Sequence, residues 1–196
     1  MQARQSGFTL IEMVIVVVLV GILAATALPL MLDVTEQAED ATVEGVMGGF
    51  ATGVGLVRAQ WEIEGRPKQN QGTNITKVNI DGIDIGVDKD TGYPTGMASG
   101  NTEDTAITSE DCQAVFSLIM QSAPVITNNW SAQPFENIRY FTNVSTGGAT
   151  GGNDLCYYYL TRTIKNQQSE PSDSTVGNGF YYDPRIGQAF FFSNNE

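Results

Sequence analysis

The 196-residue chain has no histidine, only two cysteines, and ten basic side chains against 22 acidic ones, giving a formal charge of −12. Without histidine there is no imidazole relay, no Ser-His or Cys-His nucleophile pair and no mixed Cys/His zinc site. With bases scarce and never clustered, the chain cannot grip nucleic acid or an anionic membrane surface, since both need grouped Lys or Arg. No carboxylate pair has a spacing that points to acid/base work, so the chain reads as a non-enzyme. No internal repeat is visible. What it has is a very uneven distribution of apolar residues. Between Phe8 and Leu32, 20 of 25 residues are hydrophobic and Glu12 is the sole charged side chain.

From Met13 to Leu32 the chain runs 20 residues without a charge. At ~1.5 Å per residue a helix of that length covers about 30 Å, the thickness of a bilayer core. Arg4 precedes this run; Asp33, Glu36, Glu39, Asp40 and Glu44 follow it, with no base before Arg58. The positive-inside rule therefore keeps the amino terminus cytoplasmic and sends everything after Leu32 across the membrane. Three readings compete for the segment: a cleaved secretory signal, a plain anchor, and a membrane helix that later leaves the bilayer. Ala25-Thr26-Ala27 is a small-x-small site, and cleavage after Ala27 would release a soluble periplasmic domain. Two features oppose that. Glu12 costs ~2.5–3.5 kcal/mol at a bilayer centre unless it is compensated, and Leu28-Pro29-Leu30-Met31-Leu32 carries the apolar pattern past the site.

Gly7-Phe8-Thr9-Leu10-Ile11-Glu12, behind a short leader bearing Arg4 and ahead of a long apolar helix with Pro29, resembles the processing and methylation motif of type IV prepilins and type II secretion pseudopilins. The resemblance covers residues 1 to about 60. It implies cleavage between Gly7 and Phe8 by a prepilin peptidase and N-methylation of Phe8. It also implies assembly with other pilin subunits on an inner-membrane platform, into a type IV pilus or pseudopilus serving adhesion, pilus biogenesis or secretion. The expected location is the bacterial inner membrane, with the carboxyl-terminal head outside the cytoplasm, and then the fibre. In such a fibre Glu12 of one subunit can pair with the Phe8 amine of a neighbour and favour axial register. The bland alternative is a carboxylate that snorkels at the membrane edge. Pro29 removes a backbone donor and should kink or loosen the helix.

Val43, Met47, Phe50, Val54, Val57 and Trp61 are spaced 4, 3, 4, 3 and 4 apart, one apolar stripe on a continuing helix. Glycines 45, 48, 49, 53 and 55 conflict with it, each costing ~1 kcal/mol relative to alanine, so close packing or a local break is expected there. Gly65-Arg66-Pro67 should stop the helix. The division expected is 1–7 cytoplasmic leader, 8–32 transmembrane and assembly helix, 33–64 amphipathic continuation, and 65–196 head. Residues 68–110 read as a long connection with brief strands near 75–80 and 83–87. A second helix is expected from Glu110 to Ala123, capped by Thr108 or Ser109. Strands follow through Ile138–Val144, Leu155–Ile164, Phe180–Tyr182 and Ala189–Phe192, the last two joined by the five residues Asp183–Gly187. The fold class expected is α+β: a long amino-terminal helix packed on an antiparallel sheet of about four strands, the pilin fold by resemblance.

Export places Cys112 and Cys156 in an oxidising compartment, where one intramolecular disulfide is the natural pairing and two buried thiols the alternative. Pilins often carry such a bridge near the carboxyl terminus, but here 40 residues follow Cys156. Together with the Gly/Asn-rich head, this looks more like a minor pilin, of the mannose-sensitive haemagglutinin pilus type, than a compact major one. Asp81, Asp84, Asp88 and Asp90 fall within ten residues and are candidate calcium ligands. The remaining spacing does not support an EF-hand, and solvated loop acids are the plain alternative. Tyrosines 157–159 and phenylalanines 190–192 are candidates for a sugar-binding or subunit surface, and a carbohydrate- or surface-binding adhesin head mounted on the helix is the alternative function. Against that, alternate members of such runs usually fill a sheet core and leave the others half exposed.

Overall fold

The computed structural model describes residues 7–194, and its architecture is α+β. Helix α1 spans Leu10–Ile63. The chain divides into two compact units, Met1–Glu39 and Asp40–Glu196. In the first, the described large apolar side chains from Phe8 to Val34 are all exposed. Thr26 and Thr35 donate their hydroxyls to the carbonyls of Leu23 and Met31, both at 2.9 Å, which removes two polar groups from the helix surface. The backbone at position 29 is helical; the surroundings of the Pro29 side chain lie outside the described residues.

In the second unit the helical stripe is buried against two sheets. Strands β1 (Lys77–Ile80), β2 (Ile83–Val87) and β3 (Pro94–Met97) form an antiparallel sheet in the order β1-β2-β3. Val57 and Trp61 of α1 pack on its Val78, Ile85 and Val87. The β1–β2 loop is Asp81-Gly82, both at positive φ (50° and 86°), as a two-residue hairpin turn requires. The larger sheet runs β4 (Ile126–Thr127), β5 (Tyr140–Ser145), β6 (Leu155–Leu160), β7 (Gly179–Asp183) and β8 (Gln188–Phe192) in that order. Only the β4–β5 pair is parallel. Helix α2 (Ser109–Ile119) is capped by Thr108, which shares a reciprocal capping box with Asp111.

One core joins Val43, Phe50 and Val54 of α1 to Val115 and Phe116 of α2 and to Tyr140, Tyr158, Phe180 and Tyr182 of the sheet. Phe50 is its hub: four aromatic rings lie within 6.2 Å of its own. A second core, with Phe135, Phe141, Tyr157, Tyr159, Ile164 and Phe192, covers the opposite face of β5, β6 and β8. As a result all six residues of β6 are buried.

Several expectations are corrected. Among the described residues the strands number eight in two sheets, because β3 is a four-residue Pro/Gly-containing segment and β4 only two residues, both without a readable alternation. α2 stops at Ile119, since Met120 is extended (φ −105°, ψ 127°). The strand from Leu155 ends at Leu160 and turns into a short helix, α3 (Thr161–Ile164). Asp183 pairs with Gln188, so the hairpin loop has four residues rather than five. Of the five glycines between positions 45 and 55 of α1, Gly53 meets α2 closely: a Cβ there would lie 2.5 Å from the Ile119 carbonyl oxygen, while the other four face open space.

Candidate functional site

The amino-terminal motif shows how its local sequence folds. Thr9 precedes the first helical residue, and its hydroxyl accepts from the Glu12 amide at 3.3 Å, while Glu12 Oε2 accepts from the Thr9 amide at 2.8 Å and from the Thr9 hydroxyl at 2.7 Å. This reciprocal capping box satisfies two amides that would otherwise be orphaned at the helix start, and it sets α1 to begin at Leu10. Gly7 and Phe8 are left outside the helix and exposed, Phe8 at 85%. Thr9 is a residue the sequence reading missed, although Ser/Thr-x-x-Glu ahead of an apolar run is the signal for it. Glu12 thus has a role within its own chain before any neighbour is considered. Leu10–Leu28 is long and apolar enough to cross a membrane.

Cys112 of α2 and Cys156 of β6 form a disulfide with an S–S distance of 1.96 Å, 44 residues apart in the chain. Both cysteines are fully buried. Beside the bridge, the Tyr158 hydroxyl donates to the Cys112 carbonyl at 2.9 Å, a second tie between α2 and the sheet.

The four aspartates of residues 81–90 are not brought together. Asp84 accepts from Lys77 at 2.6 Å and from Asn79 at 2.7 Å, and the Lys77 hydrogen bond holds its carboxyl below the ordinary range. Asp90 is paired with Lys68 at 2.9 Å and is lowered by that bond. Asp88 Oδ1 accepts from the amides of Asp90 and Thr91, both at 2.9 Å, and so folds its own turn. Asp81 occupies the β1–β2 turn. Among the described residues no three His, Cys, Asp or Glu are grouped to hold a metal ion.

Other acids act as loop ties that no sequence pattern flagged. Arg185, in the β7–β8 loop, donates to both oxygens of Asp104 (2.6 and 3.1 Å) and to the Gly151 carbonyl (2.7 Å). Asp154 accepts from the amides of Ile107 (3.0 Å) and Gly147 (2.8 Å). Tyr157, Tyr158 and Tyr159 are all buried, so the half-exposed aromatic row expected on β6 is absent. Both sheet faces are covered there. Tyr181 and Phe190 stack at 5.0 Å and are partly exposed.

Comparisons with known proteins give one family motif and several partial relatives. Residues 2–28 match the prokaryotic N-terminal methylation motif. The chain is 40% identical over 57 residues to the type IV narrow pilus major component PilA5 of Thermus thermophilus, covering 29% of this chain and 49% of that protein. It is 38% identical over 77 residues to fimbrial protein Q of Moraxella bovis (39% and 46%). With the type IV major pilin protein PilE1 of Neisseria gonorrhoeae it shares 56% identity over 39 residues (20% and 24%). The chain therefore spans about half the length, or less, of these curated relatives. No solved structure matches it. The chain thus carries a prokaryotic methylation motif running into an apolar helix and is similar, over part of its length, to type IV pilins.

Proposed function

We propose that the chain is a structural pilin subunit, cleaved between Gly7 and Phe8 by a prepilin peptidase, N-methylated on Phe8, and polymerised through α1 into a type IV pilus or pseudopilus. The observation that carries this is the helix from Leu10 to Leu28, whose large apolar side chains are exposed among the described residues. Such a surface must lie in lipid or against other subunits. In this reading residues 1–7 are a cytoplasmic leader, 8–32 the membrane and assembly helix, 33–64 its continuation, and 65–196 a head held outside the cytoplasm. The fibre serves adhesion, pilus biogenesis or secretion through that head, and no catalytic group is required of it.

Within the fibre the Glu12 carboxylate of one subunit neutralises the Phe8 amine of another. Removing one partner of a buried pair costs about 3–5 kcal/mol in comparable cases, because the other charge is left uncompensated. Mass spectrometry of the mature protein tests the processing: a methylated Phe8 terminus is expected, and a terminus at Leu28 would overturn it. Glu12→Gln tests the charge, since glutamine keeps the capping box with Thr9 but not the ion pair. Processed but unpolymerised subunit is expected; normal fibres from this variant would refute the pairing.

A further inference from the structure

Three loops meet at one end of the larger sheet: residues 98–108 between β3 and α2, 146–154 between β5 and β6, and 184–187 between β7 and β8. Their contacts close a ring. Arg185 grips the Asp104 carboxylate through Nε and Nη2 (2.6 and 3.1 Å), and its Nη1 donates to the Gly151 carbonyl at 2.7 Å. The Asp104 carbonyl in turn accepts from the Asp154 amide at 2.9 Å. The two oxygens of Asp154 accept from the amides of Ile107 (3.0 Å) and Gly147 (2.8 Å), and from Gly147 the chain runs back to Gly151. Asp183 adds a cross-tie, accepting from the Arg185 amide at 2.9 Å and from Asn153 Nδ2 at 2.8 Å.

We infer that this ring is a clasp: the three loops open and close as one unit, and Arg185 is the residue that closes it. Asp104, Asn153 and Asp154 are buried, so a loop that swung out alone would strip a buried carboxylate or amide of its partner. Orphaning such a group costs more than a bond between exposed groups contributes, most of all when the group is charged. Links that share buried members therefore break together. The loop 146–154 depends on the ring in particular. Four of its nine residues are glycines, which have no side chain to pack, and Gly147 and Gly152 stand at positive φ (62° and 75°). Its order comes from Arg185 and Asp154 rather than from a core of its own. Asp183 and Asp88 also attract the Arg185 guanidinium, so the closing charge is held from three sides. The surface that these loops present is either wholly formed or wholly loose.

Residue-resolved hydrogen exchange of the full-length protein in detergent tests this, with the Ile107, Gly147 and Asp154 amides as reporters of the ring. In the parent their protection factors should agree within about fivefold, as one shared opening requires. Arg185→Met should speed all three by a common factor of about 10–100, the loss expected for charge-assisted bonds, while the amides of β6 and β7 keep their rates. Asp104→Asn should speed the same three, and the double variant should go no further than the faster single one, because both changes break one ring. Parent protection factors further apart than fivefold, acceleration confined to one loop, or acceleration that spreads equally into β6 and β7 would each overturn the clasp. If Arg185→Met does not fold, Arg185→Lys decides the matter. Lysine keeps a charge for Asp104 but lacks the fork that also reaches Gly151, so the three amides should again speed up together.

Discussion

Phe50→Ala should be among the most damaging single substitutions in the second unit. Its ring is fully buried and stands 6.2 Å from Phe116, 5.3 Å from both Tyr158 and Phe180, and 5.1 Å from Tyr182. Truncating a buried phenylalanine costs about 3–5 kcal/mol in transfer and cavity terms, and tilted or edge-on ring pairs add about 0.5–1.5 kcal/mol beyond area. The surrounding rings sit on three different elements, α2, β6 and β7, so they cannot close the cavity by a single local shift. A loss of about 4 kcal/mol follows, or a fall in melting temperature of about 8–16 °C for a unit of this size. Phe50→Leu keeps most of the volume and should lose about 1–2 kcal/mol. Denaturant unfolding of full-length protein in detergent, followed by the near-ultraviolet dichroism of the buried tyrosines, measures both. If Phe50→Ala loses less than about 2 kcal/mol, the stripe of α1 is not the keel of this core.

Burial raises the tyrosines of the larger sheet, Tyr140 to about 12 and Tyr158, Tyr159 and Tyr182 by desolvation as well. Their folded pKa values exceed those of the unfolded chain, so the associated stability is fully present below pH ~10 and is lost as pH rises through the folded values. Tyrosinate absorbance for these residues should therefore appear together with unfolding, and a gradual titration near pH 10 in intact protein would contradict the burial. Opening the Cys112–Cys156 bridge frees a loop of 44 residues and should cost about 4 kcal/mol in the chain-entropy model. The Cys112→Ala, Cys156→Ala double variant, unfolded in denaturant beside the parent, measures this, and an unchanged midpoint would refute it.

Much of the helix was legible because its determinants are local. The 4, 3, 4, 3, 4 stripe is a period that only a helix satisfies, and its members Val43, Phe50, Val54, Val57 and Trp61 are buried as that period requires. The stop at Gly65-Arg66 is likewise local, with Gly65 and Arg66 both at positive φ. The Thr9–Glu12 box is equally local, a Thr-x-x-Glu ahead of an apolar run whose two side chains close on each other's amides. The sheets were less legible. β3 and β4 exist only because α2 and β5 lie beside them, and a two-residue strand has no period to read.

The candidate site divides in the same way. Which residues match the methylation motif, cap the helix or make it apolar enough to cross a membrane is decided by adjacent positions in the chain: Gly7-Phe8, Thr9-x-x-Glu12, and a run of 20 uncharged residues. These need no partner from elsewhere in the fold. Residues far apart in sequence meet only through the tertiary structure. It pairs Asp84 and Asp90 with separate lysines, covers Tyr157 and Tyr159 with a second core, and joins Arg185 to Asp104 across 81 residues. It also leaves Gly45 and Gly49 facing an open groove while bringing Gly53 against α2. The sequence by itself determined the apolar helix and its processing motif, because both are written in short-range order. What the head presents was decided by packing, because a side chain's neighbours across a sheet or groove are set by register and close contact rather than by position along the chain.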